Sequence, residues 1–204
     1  MQVSKAHGGD GKDSTTSANS DCIEHATWTA LLLSGGKTNL GIQIIDVNGK
    51  PWVHRKYQAG VLGESAFWRM LHVAFAVGLV PAVDWTYKRE GDAVVIGNPL
   101  LDVVQHDSVP RPSLWRSYEE LLRRLMLMWR EYRYILGDCH SLNLRLCAFA
   151  GGALKVQLLD GKLGGMSSQP STSRLYVKLK HETNPLHTWL LYEYIQFLKR
   201  NGVH

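Results

Sequence analysis

The residues of this chain best suited to chemistry lie in one short segment, Gly137-Asp138-Cys139-His140-Ser141-Leu142-Asn143, set between a long amphipathic run and an apolar one. Packing favours carbon at such a place. The segment instead supplies a carboxylate, an imidazole and a carboxamide between apolar walls, groups that are costly to bury unless paired. An Asp followed five residues later by an Asn can aim a proton acceptor and a metal-binding amide into one cleft, which suits transfer of a phosphoryl group. Such a site needs a second carboxylate at a strand end. Lys155–Leu159 reads as a strand that ends on Asp160, beside Gly161. On packing grounds alone, Asp138 would cap a turn, His140 would be a half-buried imidazole and Asp160 a turn residue.

Taken jointly, the Gly137-to-Asn143 loop and Asp160 resemble the protein-kinase-like superfamily, and most closely its small-molecule and atypical branch, which includes aminoglycoside and choline kinases. That branch carries a Gly-Asp-x-His-x-x-Asn loop and, after a strand, a metal-binding Asp. The resemblance covers roughly residues 30–165. In its reduced end, and in Asp160-Gly161 standing for Asp-Phe-Gly, the chain is similar to compact kinase-like proteins of the bacterial PhoP regulatory network. Leu136 stands where many relatives have His. The resemblance implies an α+β fold of two lobes, a small antiparallel-sheet N-lobe and a reduced, mainly helical C-lobe. It further implies that Asn143 and Asp160 hold Mg²⁺ against the phosphates of ATP, that Asp138 accepts the proton of the attacking hydroxyl, and that His140 braces the loop.

The elements that must position these groups begin with a strand-rich stretch. Trp28–Leu33, Ile42–Ile45 and Pro51–Tyr57 read as strands, and Asn48-Gly49 is a hairpin signal because its favoured turn needs positive φ twice. Gly35, Gly36 and Gly41 link the first two strands and let backbone N–H groups approach phosphates without interference from a Cβ; a plain glycine-rich hairpin is the alternative. Gly36-Lys37-Thr38 is not the end of a P-loop, since Leu31 stands where that motif needs glycine and no helix pattern follows. The resemblance implies a phosphate-orienting Lys on the third strand, paired with a Glu on the next helix. Lys56 and Glu64 are the candidates, with Arg55 in place of Lys56 if the register slips by one residue.

Residues 64–77 carry a helical apolar pattern that stops at Gly78. Leu79–Tyr87 and Asp92–Gly97 read as two further strands, five in all, and Ile96–Leu100, with Asn98 at its centre, resembles the hinge that holds an adenine. After a turn-rich stretch, Ser113 can cap a helix with an apolar stripe from Leu114 to Tyr132. Its basic face of Arg116, Arg123, Arg124, Arg130 and Arg133 reads as solvated. A last helix spans Pro185–Arg200, and little more than one or two helices fit beyond Gly165.

With 204 residues and 45% apolar side chains the chain can fill a core as one domain or two small lobes. The divisions expected are a polar, disordered tail over 1–25, a nucleotide-binding lobe over 26–100 and a catalytic lobe over 101–204. A Ser/Thr-rich leader of this kind also resembles the export signals of bacterial secreted effectors. The net charge of +5 is dispersed among acids, so no nucleic-acid footprint is read, while an anionic nucleotide remains compatible. Three cysteines in no paired spacing point to a reducing, cytoplasmic compartment, and no run approaches the ~20 apolar residues of a membrane span. The function expected is ATP- and Mg²⁺-dependent transfer of a phosphoryl group to a hydroxyl of a protein or small molecule. The alternative is a pseudokinase or regulatory interaction module that binds nucleotide without catalysis.

Overall fold

A computed structural model of the chain describes residues 39–169 and 171–204. The tail over 1–25, the strand expected at 28–33, Gly35, Gly36 and Cys22 lie outside the described residues. In chain order the described elements include β1 (Asn39–Val47), β2 (Lys50–Gln58), α1 (Glu64–Ala76), β3 (Thr86–Glu90) and β4 (Ala93–Pro99). There follow α2 (Arg111–Tyr132), β5 (Ile135–Leu136), β6 (Leu144–Ala148), β7 (Leu154–Leu158), β8 (Met166–Ser167), α3 (Ser173–His181) and α4 (Pro185–Arg200). The fold is α+β, with an antiparallel sheet in the N-terminal part and helices dominating the rest.

The N-terminal sheet has the order β1-β2-β4-β3. Its first turn is the Asn48-Gly49 pair, with φ of 55° and 75°, and Gly49 N–H donates to Asp46 Oδ1 at 2.7 Å. That turn sets Val47 opposite Lys50 and carries the register along β2, where Arg55 faces Ile42 and Lys56 faces Gly41. Gly41 sits beside a register shift in β1, a bulge rather than an open loop. Tyr57 is buried at 3% exposure while Lys56 is exposed, so the odd-numbered face of β2 looks inward.

The stretch expected as a strand from Leu79 to Tyr87 pairs only from Thr86 onward, so the described sheet has four strands. Pro81 lacks the N–H a ladder needs, and the preceding residues serve another purpose. Gly78, at φ 72°, closes α1; Leu79 N–H donates to Ala74 O at 2.8 Å, and Leu79 O accepts from Leu158 N–H at 2.8 Å. Leu79 and Val80 are buried there, between sheet and hairpin.

Helix α2 begins two residues ahead of Ser113, because Pro110 O accepts from both Ser113 and Leu114 N–H and Pro112 fits a first turn. Its stripe of Leu114, Tyr118, Leu121, Leu122, Leu125, Met128 and Trp129 is buried, and Arg133, at φ 58°, ends it. Arg124 departs from the solvated face expected of it. Its side chain is 10% exposed, pairs with Glu120 at 3.2 Å, and donates to Gly78 O at 3.0 Å and Val156 O at 3.4 Å. A cation at the end of α1 satisfies a carbonyl that the helix leaves open.

Helix α4 starts on Asn184, whose Oδ1 accepts from Leu186 and His187 N–H, with Pro185 at the first helical position. Its buried face includes Leu190, Leu191, Tyr194 and Leu198, and it packs on α2 and α3. Tyr194 Oη accepts from Leu136 N–H at 3.4 Å, which fixes the strand entering the polar loop. Among the described residues no helix is long and apolar enough to cross a membrane.

Candidate active site

The polar loop leaves β5, which pairs with β8 and brings Gly165 against Gly137: a Cβ on Gly137 would lie 3.2 Å from Gly165 O. Only a small residue allows that approach. Asp138 then sits among donors. Its Oδ1 lies 2.6 Å from Lys178 Nζ and 3.4 Å from His140 Nε2, and its Oδ2 accepts from Asn143 Nδ2 at 3.0 Å. His140 Nδ1 accepts from Leu142 N–H at 3.2 Å, so the ring proton is placed on Nε2, toward Asp138. The His140 hydrogen bond, against the opposing effect of burial and with Lys178 in support, holds the Asp138 carboxyl well below the usual carboxylate range. Asp138 is an anion ready to accept a hydrogen bond.

The β6–β7 hairpin delivers the second carboxylate. Leu144 stands opposite Leu158, and Leu159 N–H donates to Asn143 O at 2.8 Å, so Asn143 and Asp160 emerge side by side at the open end. Asp160 Oδ1 accepts from Lys162 N–H at 3.1 Å and from Tyr57 Oη at 3.5 Å. Burial first, then Asp160, keeps the Tyr57 hydroxyl protonated well above its ordinary range. A Cβ on Gly161 would strike Tyr57 Oη at 2.8 Å and Arg55 Cδ at 3.1 Å, which explains glycine after the acid. The structure therefore brings together Asp138, Asn143 and Asp160. Asp138 and Asp160 share the wall of one cleft of about 540 Å³ between α1 and α3.

These residues fit a magnesium ion. Asn143 directs its amide N–H groups at Asp138 Oδ2 and Asp138 O, which turns its Oδ1 away, and no donor among the described residues reaches that oxygen. One carboxylate and one amide oxygen suit Mg²⁺, which keeps waters and phosphates as its other ligands. Among the described residues no group of three or more His, Cys, Asp or Glu forms an all-protein cage for another metal.

The structure does not bring Lys56 and Glu64 together. Lys56 Nζ is 3.8 Å from Glu90 on the solvent face, and Glu64 Oε1 accepts from Trp68 Nε1 at 3.3 Å. The alternation of a strand puts the neighbouring Arg55 on the inner face instead. Arg55 donates to Asn98 Oδ1 at 2.8 Å, and burial lowers its pKa, with Tyr57 and Asp160 opposing. Asn98 is itself buried, and its Nδ2 donates to Pro99 O at 2.7 Å. Its side chain is thus committed to Arg55, and Leu100 N–H in the same segment donates to Pro51 O at 2.8 Å.

Several groups around the loop escaped the sequence reading. Lys178 and Arg174 come from α3, and their four-residue spacing on a helical run is the signal that places both on one face. Glu182 accepts from Ser141 N–H at 3.0 Å and so ties the loop to the α3–α4 junction. Burial raises its pKa, but the N–H groups of Asn184 and Ser141 outweigh this and keep it low. Cys139 and Cys147 are buried free thiols, and burial pushes Cys147 up to about 12.

No family model and no curated protein matches the sequence. Solved structures match it in shape. The structure of WaaP in complex with acyl carrier protein aligns with a TM-score of 0.52 over 86% of this chain and 84% of that one, at 15% identity. The kinase PK-1 of Cydia pomonella granulovirus aligns with a TM-score of 0.48 over 80% of this chain and 67% of that one, at 13% identity. The sheet, α1, the polar loop and the Asp-tipped hairpin follow one another in the order the resemblance implied, and the WaaP alignment spans most of both chains. The fold of this chain is therefore protein-kinase-like.

Proposed function

We propose that the chain is an ATP- and magnesium-dependent phosphotransferase that moves the γ-phosphoryl group to a hydroxyl of a small molecule or protein. The observation that carries this reading is the placement of Asp138 and Asp160 in one cleft wall, with Asn143 bonded to the first and adjacent to the second. Residues 26–100 would form the nucleotide lobe and 101–204 the catalytic lobe.

Asp160 and the Asn143 amide oxygen would hold the metal. Bound there, Mg²⁺ neutralises charge on the phosphates, which is the principal need of a loose phosphoryl-transfer transition state. Arg55 takes the place assigned to Lys56 and orients phosphate oxygens, its planar fork being suited to them. Gly35, Gly36 and Gly41 would offer backbone N–H groups to the phosphates, and Asn98 steadies Arg55. Asp138 accepts a hydrogen bond from the acceptor hydroxyl. Because its basicity is low, the proton moves to it late, as the new O–P bond forms and the bond to ADP breaks. His140 keeps the carboxylate oriented through Nε2–H.

A second reading is a nucleotide-binding module without turnover, favoured by Lys178 standing 2.6 Å from Asp138. Incubation with γ-labelled Mg-ATP separates the two. The phosphotransferase labels itself or hydrolyses ATP slowly, and loses both with Asp160→Asn; the module shows a magnesium-dependent thermal shift alone. Absence of any shift with ATP, ADP or GTP overturns both.

A further inference from the structure

We propose that the cleft between α1 and α3 is the acceptor site, and that the acceptor is a small hydroxyl compound bearing its own phosphate or carboxylate, held by Arg174 and Lys178. Calling the ligand an acceptor rests on the phosphotransferase reading; the anion site itself does not.

The cleft, at about 540 Å³, falls in the ordinary range for small molecules. Among the described residues its wall contains none from β1, β2, β3 or β4, so neither Arg55 nor Asn98 lines it. One side is apolar, made by Val61, Ala66 and Met70, and offers a surface for a carbon skeleton. The opposite side is cationic. Arg174 and Lys178 stand one helical turn apart on α3, both in the wall. The Arg174 stem passes 3.5 Å from where a Cβ of Gly137 would sit, and its Nη1 lies 3.7 Å from the same position on Gly165, so the guanidinium flanks the backbone around Asp138.

The charges in the wall do not cancel. Lys162, Arg174 and Lys178 face only Asp138 and Asp160, an excess of one positive charge before any metal binds. Arg174 is exposed and has no acid partner among the described residues. Lys178 uses one ammonium hydrogen on Asp138 and has two more to donate. A neutral alcohol would leave these donors unused. An anionic group across Arg174 and Lys178 satisfies them, and brings a hydroxyl on the same small molecule within reach of Asp138.

The test uses the full chain and three probes of one skeleton, glycerol 3-phosphate, glycerate and glycerol, titrated calorimetrically with and without saturating Mg²⁺ and a non-hydrolysable ATP analogue. The expected result is binding of at least one anionic probe but not glycerol, undiminished by the nucleotide, and weakened at least tenfold in Arg174→Ala and Lys178→Ala. The stronger of the two anions identifies phosphate or carboxylate as the group recognised. Arg174 is exposed, so Arg174→Ala keeps the wild-type melting temperature and its loss of binding is not loss of fold. Binding of no probe, binding that ignores both substitutions, or displacement of the anion by the nucleotide overturns the proposal. If the nucleotide itself fails to bind while the anion still does, the phosphotransferase reading falls and the anion site stands.

Discussion

Lys178 reaches from α3 to within 2.6 Å of Asp138 Oδ1, so the carboxylate at the head of the polar loop is held by a cation supplied some forty residues later in the chain. Together with the Ser141–Glu182 bond, this contact makes α3 and the α3–α4 junction part of the site rather than a trailing segment.

Lys178→Met should raise the Asp138 pKa toward its ordinary value. The folded-state pKa of Asp138 lies below that of the unfolded chain, so its carboxylate contributes stability above pH ~4 that is lost as the pH falls through the folded pKa. The pair is partly exposed, and its loss should cost about 0.2–1 kcal/mol at pH 7. The difference between variant and parent should vanish in strong acid. Denaturant unfolding across pH, with carbon-detected titration of Asp138, reads both effects; an unmoved Asp138 titration would contradict the contact.

Arg55 and Lys56 should separate cleanly. Arg55→Met removes the donor to buried Asn98 Oδ1, which should cost about 1–3 kcal/mol in stability and weaken Mg-ATP at least tenfold. Lys56→Met loses only a 3.8 Å surface pair with Glu90, so nucleotide affinity should stay within twofold. Equal losses from the two would return the phosphate role to Lys56. Calorimetric titration of both variants decides.

The two carboxylates should fail differently. On the proposed roles, Asp160→Asn should abolish transfer and weaken Mg-ATP binding, since the metal would lose its charged ligand. Asp138→Ala should lower turnover by ~10²-fold or more and leave nucleotide binding nearly intact. Asp138→Ala losing as much Mg-ATP affinity as Asp160→Asn would show that the roles are misassigned.

His187 should give the fold an acid sensitivity of its own. It is fully buried against Tyr118 Oη, and burial, opposed by Glu182, lowers its pKa to about 4. The unfolded chain takes up the proton near pH 6.5, so stability should fall as the pH drops from about 6.5 to about 4, by roughly 3 kcal/mol in full. His106, lowered for the same reason, adds to the slope. His187→Gln keeps a partner for Tyr118 and should flatten the unfolding free energy over that window; an unchanged slope would place the titration elsewhere.

What the sequence disclosed was local. The Asn48-Gly49 turn, Gly78 after α1 and Pro185 opening α4 each act within a few residues, and the elements they bound lie where the pattern put them. The Gly137–Asn143 loop and Asp160 could be singled out because their polarity breaks apolar runs. What stayed hidden was tertiary. Lys56 and Arg55 are equally good cations in a list, and only the pairing of β2 with β1 and β4 decides which faces inward. Arg124 looks like one more arginine on a basic face until the carbonyls of Gly78 and Val156 arrive from distant segments. Leu79–Trp85 is apolar enough for a strand, yet Leu79 O is taken by Leu158 of β7 and Val83 N–H by Pro81 O within the stretch.

The corner built on Gly78 and Leu79 fastens the sheet-bearing half to the rest of the molecule. Leu79 O is bonded to Leu158, and Gly78 O to Arg124, so the sheet-bearing half is anchored to hairpin and long helix at one edge. The segment after β4 adds a further tie, as Ala148 N–H donates to Asp102 O and Val104 N–H to Leu146 O at 2.9 Å. The Tyr57 hydroxyl, 3.5 Å from Asp160 Oδ1, crosses the remaining gap from the sheet to the acid, so separating the two at that point stretches this long contact.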